Sequence, residues 1–110
     1  MKILRIEDMK KGWFIGDFEP SVLKTKDFEV GVVSRPKGPE KPHYHAIATE
    51  YNLVISGSFN LNNKELKTGD IFVIHPGEVV NPVFYEDTKI LSIKVPSVIG
   101  DKYENLQTKN

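Results

Sequence analysis

The chain has 110 residues, aromatic residues at 10 %, and fifteen Lys and Arg balanced by fifteen Asp and Glu. That length suits one domain burying roughly two-thirds of its unfolded surface, while the lack of cysteine excludes a disulfide framework, a thiolate zinc site and a cysteine nucleophile, and suits a reducing compartment. Opposite charges are interspersed to a formal net charge of zero, so no basic stripe suggests a nucleic-acid surface.

In chain order, Met1 to Gly12 breaks its apolar run with charges and does not read as a signal peptide. No apolar stretch approaches the ~20 residues of a bilayer span, so a cytoplasmic protein without a membrane partner is expected. Glu7 to Lys11 is compatible with one short helical turn. Trp13, Phe14 and Phe18 then form an aromatic cluster, read either as a lid on the core or as a dimer contact. Runs rich in Val, Ile, Phe and Tyr follow at Phe28–Ser34, Tyr51–Ser56, Ile71–Ile74, Val79–Tyr85 and Lys89–Val95, each of ordinary strand length. Asn62-Asn63 lies between Phe59-Asn60-Leu61 and Glu65-Leu66, which predicts a tight hairpin. Pro76-Gly77 is the pair expected at the centre of a type II turn. Turn signals roughly 8–12 residues apart predict an all-β sandwich or barrel with short or no helices. One domain spans 1–110, with the barrel core at about 28–96, an N-terminal arm at 1–27 and a polar, loosely held tail at 97–110. No internal repeat or linker interrupts it.

The chemistry concentrates at His43, His45 and Glu50. Residues i and i+2 of a strand share a face, so the two imidazoles project together. Ala46 to Thr49 can turn the chain, and Glu50 then opens the next strand facing the same pocket. Two imidazoles and a carboxylate suit zinc, nickel, manganese or iron.

The stretch from His43 to Gly57, H-Y-H-A-I-A-T-E-Y-N-L-V-I-S-G, resembles the first conserved motif of the cupin superfamily, G-x5-H-x-H-x3,4-E-x6-G. Both histidines, the glutamate and the closing glycine match, and the opening glycine is one residue out of place at Gly38. From Gly69, G-D-I-F-V-I-H-P-G-E-V-V-N resembles the second motif, G-x5-P-x-G-x2-H-x3-N. Gly69 and Gly77 are in register, and His75 stands where the motif has its first proline. The resemblance covers about Glu29 to Val95. It implies a double-stranded β-helix, or jelly-roll barrel, with a divalent metal ion bound by His43, His45 and Glu50. The motif's second histidine, the usual fourth ligand, falls on Val80, and its asparagine on Phe84. The fourth position therefore goes to Asn81 through a β-bulge, to His75, or to water.

Other polar residues have secondary claims. Arg35, at a strand end before the histidines, is solvated or contacts an anionic substrate. Tyr44 is expected on the opposite face from the histidines. Asn52 shares the alternation of Glu50. Tyr51, Tyr85 and Glu78 are candidate acids or bases with no assigned place. Three functions stay open: a metal-dependent enzyme acting on a small polar molecule, a non-catalytic barrel that binds a small ligand with or without a metal, and an interaction protein whose barrel mainly presents an oligomer surface. A homodimer is expected, because a small barrel leaves sheet edges that the aromatic N-terminal segment of a neighbour can cover.

Overall fold

A computed structural model describes residues 1–105 of the chain. Among these residues the helical structure is a single 3-10 turn at Ile6–Asp8, and eleven short strands make up the rest of the regular structure. In chain order they are β1 (Trp13–Ile15), β2 (Glu29–Arg35), β3 (Gly38–Pro39), β4 (His43–His45), β5 (Thr49–Ser56), β6 (Ser58–Leu61), β7 (Lys64–Lys67), β8 (Ile71–Ile74), β9 (Pro82–Phe84), β10 (Thr88–Val95) and β11 (Lys102–Glu104). The named strands pair antiparallel in three sheets, ordered β1-β2-β10-β5-β8, β3-β9-β6-β7 and β11-β4. The jelly-roll expectation therefore holds.

Local chemistry accounts for the turns. Asn62 and Asn63 both adopt positive φ, at 52° and 68°, which is the type I′ geometry that links β6 to β7. At Pro76-Gly77, Gly77 has φ 83° and the amide of Glu78 donates to the carbonyl of His75 at 3.1 Å, closing the type II turn. Gly57, between β5 and β6, has φ 112°, and a Cβ there would meet Thr88 Oγ1 at 2.3 Å. No other residue type fits without moving β10.

The core lies between the two larger sheets, where Val54, Phe59, Phe84 and Ile90 are buried. The Phe59 ring sits 4.9 Å from Phe84 and 5.8 Å from Phe72, centroid to centroid. Burying each such side chain contributes about 2–3 kcal/mol. The inner face of the five-stranded sheet changes character along its strands. Val33, Ile90 and Val54 form one cross-strand row, Gly31, Ser92 and Asn52 the next, and Glu29, Lys94 and Glu50 the last. The barrel is thus apolar at one end and charged at the other.

Two expectations need correction. Residues 97–105 are tied into the barrel rather than loosely held, since β11 pairs with β4 and Ser97 Oγ donates to Glu29 Oε2 at 2.7 Å. The anchoring is polar, so no apolar periodicity announces it; positions 106–110 of the expected tail lie outside the described residues. The aromatic N-terminal segment covers an edge of its own sheet, because β1 pairs with β2. The segment expected to cover a neighbour's edge is thus paired within its own chain, with β1 the edge strand of the sheet.

Candidate functional site

At the charged end the barrel opens into a cavity of about 690 Å³ whose walls include His43, His45, Glu50, Trp13, Lys94 and Lys102. Strand parity brings the sequence-predicted trio here: on β4 the two histidines are buried and Tyr44 between them is not. Tyr44 faces outward as expected and stacks on Tyr103 at 5.4 Å. Glu50 enters from β5, its Oε2 3.7 Å from His45 Nδ1. The two imidazole centroids are 6.0 Å apart, nearly perpendicular.

The turn carrying the chain from His45 to Glu50 is held by Asp101. One carboxylate oxygen accepts from the amides of Ala46 and Ile47 at 3.0 and 3.1 Å, and the other from Ile47 and Ala48 at 3.1 and 2.9 Å. Asp101 is buried, so these charge-assisted bonds are made away from solvent.

The state of each imidazole follows from its contacts. His43 Nδ1 lies 3.0 Å from the carbonyl of Lys41, which can only accept, so Nδ1 carries the proton and Nε2 keeps its lone pair. His45 Nε2 is buried without a hydrogen-bond partner. Burial pushes the pKa of His43 down first, opposed by the Lys41 carbonyl and reinforced by Lys102. For His45, burial again leads and Lys94 comes next, against the pull of Glu50. Both rings are held toward the neutral form a metal requires.

The donor chemistry therefore fits a divalent ion: a buried, unpartnered Nε2 on His45, a free lone pair on His43 and a nearby carboxylate. The donors surround one cavity without meeting at one point. Among the described residues, no three His, Asp or Glu side chains are grouped closely enough to hold a metal as they stand.

The other sequence candidates separate clearly. Val80 is buried directly opposite His43. Asn81 and His75 are exposed and outside the cavity wall, Asn81 with its amide bonded to Asn62 Oδ1 at 2.8 Å and His75 with its amide bonded to Glu78 Oε1 at 2.7 Å. Neither supplies a fourth donor in this arrangement. Asn52 lies one layer deeper, its Oδ1 accepting from Ser92 Oγ at 2.6 Å. Tyr51 points outward from β5, and Tyr85 donates to Glu65 Oε1 at 2.7 Å on the surface, so neither is an acid or base for this cavity. Glu78 is likewise outside it. Arg35 does line the cavity, with its Nε 3.4 Å from Glu40 Oε2. Trp13 is a lid: Gly31 leaves room for its ring, which a Cβ would approach to 2.6 Å, and Lys94 Nζ sits 4.7 Å from the ring centroid.

Lys94, Lys102 and Asp101 were not singled out from the sequence. Lys94 was within reach, since it continues the inward alternation of Ile90 and Ser92. Lys102 and Asp101 had no comparable signal.

No protein-family profile and no curated protein matches the chain. Solved structures do. An uncharacterized conserved protein with a double-stranded beta-helix domain from Klebsiella pneumoniae is 24% identical with a TM-score of 0.66, covering 94% of this chain and 90% of its own. KdgF from Halomonas sp. is 25% identical with a TM-score of 0.60, over 68% of this chain and 74% of its own. A cupin-2 domain containing protein from Shewanella frigidimarina is 24% identical with a TM-score of 0.55, over 67% and 76%. These likenesses show the fold, a cupin-type double-stranded β-helix.

Proposed function

We propose that this cupin-fold barrel holds a divalent metal ion on His43, His45 and Glu50 and receives a small polar molecule in the cavity beside it. The observation that carries the reading is the buried, unpartnered Nε2 of His45. A buried polar atom without a partner costs about 1–3 kcal/mol, and a metal ion removes that cost. When bound, the metal supplies Lewis acidity at an open coordination position. The chain's own groups do the remaining work: Asp101 fixes the turn between His45 and Glu50, Trp13 shields one wall, and Val80 leaves the fourth position to water or ligand. Zinc, nickel, manganese and iron all suit two nitrogens and one carboxylate.

A second reading has its own support. Lys11, Arg35, Lys89, Lys94 and Lys102 line the cavity against Glu7 and Glu50, an excess of positive charge that opposes a bare cation. A metal-free barrel that binds its ligand without catalysis answers that field equally well. Titrating metal-free protein with zinc or nickel and following Trp13 fluorescence separates the two readings. Saturable quenching that His45→Ala abolishes supports the metal; no response in the wild type supports the second reading.

We also infer a homodimer, formed through the outer face of the five-stranded sheet. Two rows cross that face, Val32, Leu91, Leu53 and Ile71 in one and Val30, Ile93, Tyr51 and Val73 in the other. Both rows are uncharged, and Ile71 is 74% exposed. A flat, neutral, apolar sheet face can pack on its own copy without stranding a charge. A cytoplasmic location accords with this reading, and no helix among the described residues is long and apolar enough to cross a membrane.

A further inference from the structure

The cavity wall carries Lys11, Arg35, Lys89, Lys94 and Lys102 against only two carboxylates, Glu7 and Glu50. Two of the cations are already answered from behind. Arg35 Nε lies 3.4 Å from Glu40 Oε2, and Lys94 Nζ lies 3.7 Å from Glu29 Oε1. Lys102 differs. It sits opposite His45 in the β4–β11 ladder, lines the cavity, and forms no ion pair among the described residues. Lys102 and Arg35 share this wall, where the carboxylate of Glu40 is paired to Arg35 and no carboxylate is paired to Lys102 among the described residues. A divalent ion on the imidazoles would add to the same positive field.

We propose that the cavity's ligand is a small organic anion whose oxyanion group is received by Lys102 together with Arg35. This rests on the reading of the cavity as the ligand site, and it names the class of molecule bound there. A carboxylate or a phosphate supplies such an oxyanion. Both answer the unpaired ammonium with charge-assisted hydrogen bonds, and Arg35 adds a planar fork that suits either. Charge on the wall also draws such ligands in from solution. A neutral sugar would leave Lys102, which is exposed, to water alone.

The test uses full-length protein, titrated with malonate, inorganic phosphate and chloride at matched ionic strength, with Trp13 fluorescence as readout. Saturable binding of malonate or phosphate, but not chloride, is expected, and whichever binds identifies the oxyanion. Lys102→Met should weaken it roughly tenfold, and Lys102→Arg should restore most of it. Lys64→Met, on the distant β6–β7 hairpin, should change nothing. Metal content is measured on the same samples, which separates this inference from the metal reading. Anion binding that depends on Lys102 in protein that takes up no metal upholds the anion and removes the metal. Metal uptake with no response to either oxyanion, or binding that Lys102→Met leaves intact, overturns the inference.

Discussion

Val80 and His43 face each other across an isolated antiparallel bridge, each amide bonded to the other's carbonyl at 2.8 and 3.0 Å. Val80 is buried there, so an isopropyl group stands where the second cupin-like motif would place a histidine. The backbone at this position is fixed by the paired hydrogen bonds, and what varies is the side chain it sets beside His43. Val80→His is therefore expected to add a nitrogen donor to His43, His45 and Glu50. Metal loss to a chelator should slow by at least about tenfold relative to the wild type. Equal rates of loss would mean that position 80 does not face the ion.

Asp101 is the second test. Replacing it with Ala removes an acceptor from three amides in the turn that spaces His45 from Glu50. Urea unfolding should show a loss of about 2–4 kcal/mol, and Asp101→Asn a smaller one because an acceptor oxygen remains. Metal retention should fall in parallel, since the turn sets the separation of two ligands. An Ala variant as stable as the wild type would remove Asp101 from this role.

The pH dependence follows from the two imidazoles. Burial, with Lys102 at His43 and Lys94 at His45, lowers both folded pKa values below the ordinary 6.5. Below that value the unfolded chain binds more protons than the folded one, so stability falls as pH falls through the window beneath 6.5. For metal-free protein the urea midpoint should be lower at about pH 5.5 than at about pH 7.5. The double substitution of His43 and His45 by Gln should flatten that slope. A midpoint that rises on acidification would contradict the assignment.

How much of this was legible in the sequence depends on which force places each residue. Strand alternation put His43 and His45 inward and Tyr44 outward, and each stands where period two requires. The Asn62-Asn63 and Pro76-Gly77 turns were legible because their positive φ values select residue types. The expected strand at Val79–Tyr85 shortened to Pro82–Phe84, because Val80 pairs with His43 and the Asn81 amide is drawn away to Asn62. Lys102 and Asp101 were illegible for a different reason. Their segment is polar, and a carboxylate bonded to three distant amides leaves no periodic trace along the chain. The positive wall of the cavity was invisible as well, since lysines far apart in sequence converge there only once the strands pair.

The outer sheet face gives the fourth prediction. Ile71→Glu places a charge at the β8 end of one apolar row while touching nothing in the core. Light scattering should show a dimer for the wild type and a monomer for the variant at micromolar protein, with monomer stability changed by about 0.5 kcal/mol or less. A wild type that is monomeric under those conditions would rule out the proposed dimer.

The metal is the centre of the account, and elemental analysis reaches it most directly. Wild-type protein and the His43→Ala/His45→Ala double variant are purified without a histidine tag, incubated with zinc, nickel, manganese or iron, and dialysed. Both nitrogen donors are lost in the double variant, while Val54, Phe59, Phe84 and Ile90 keep the core intact. The account predicts stoichiometric metal in the wild type, readily removed by chelator, and almost none in the variant. Equal metal in the two proteins, or none in the wild type after incubation with excess ion, would contradict it.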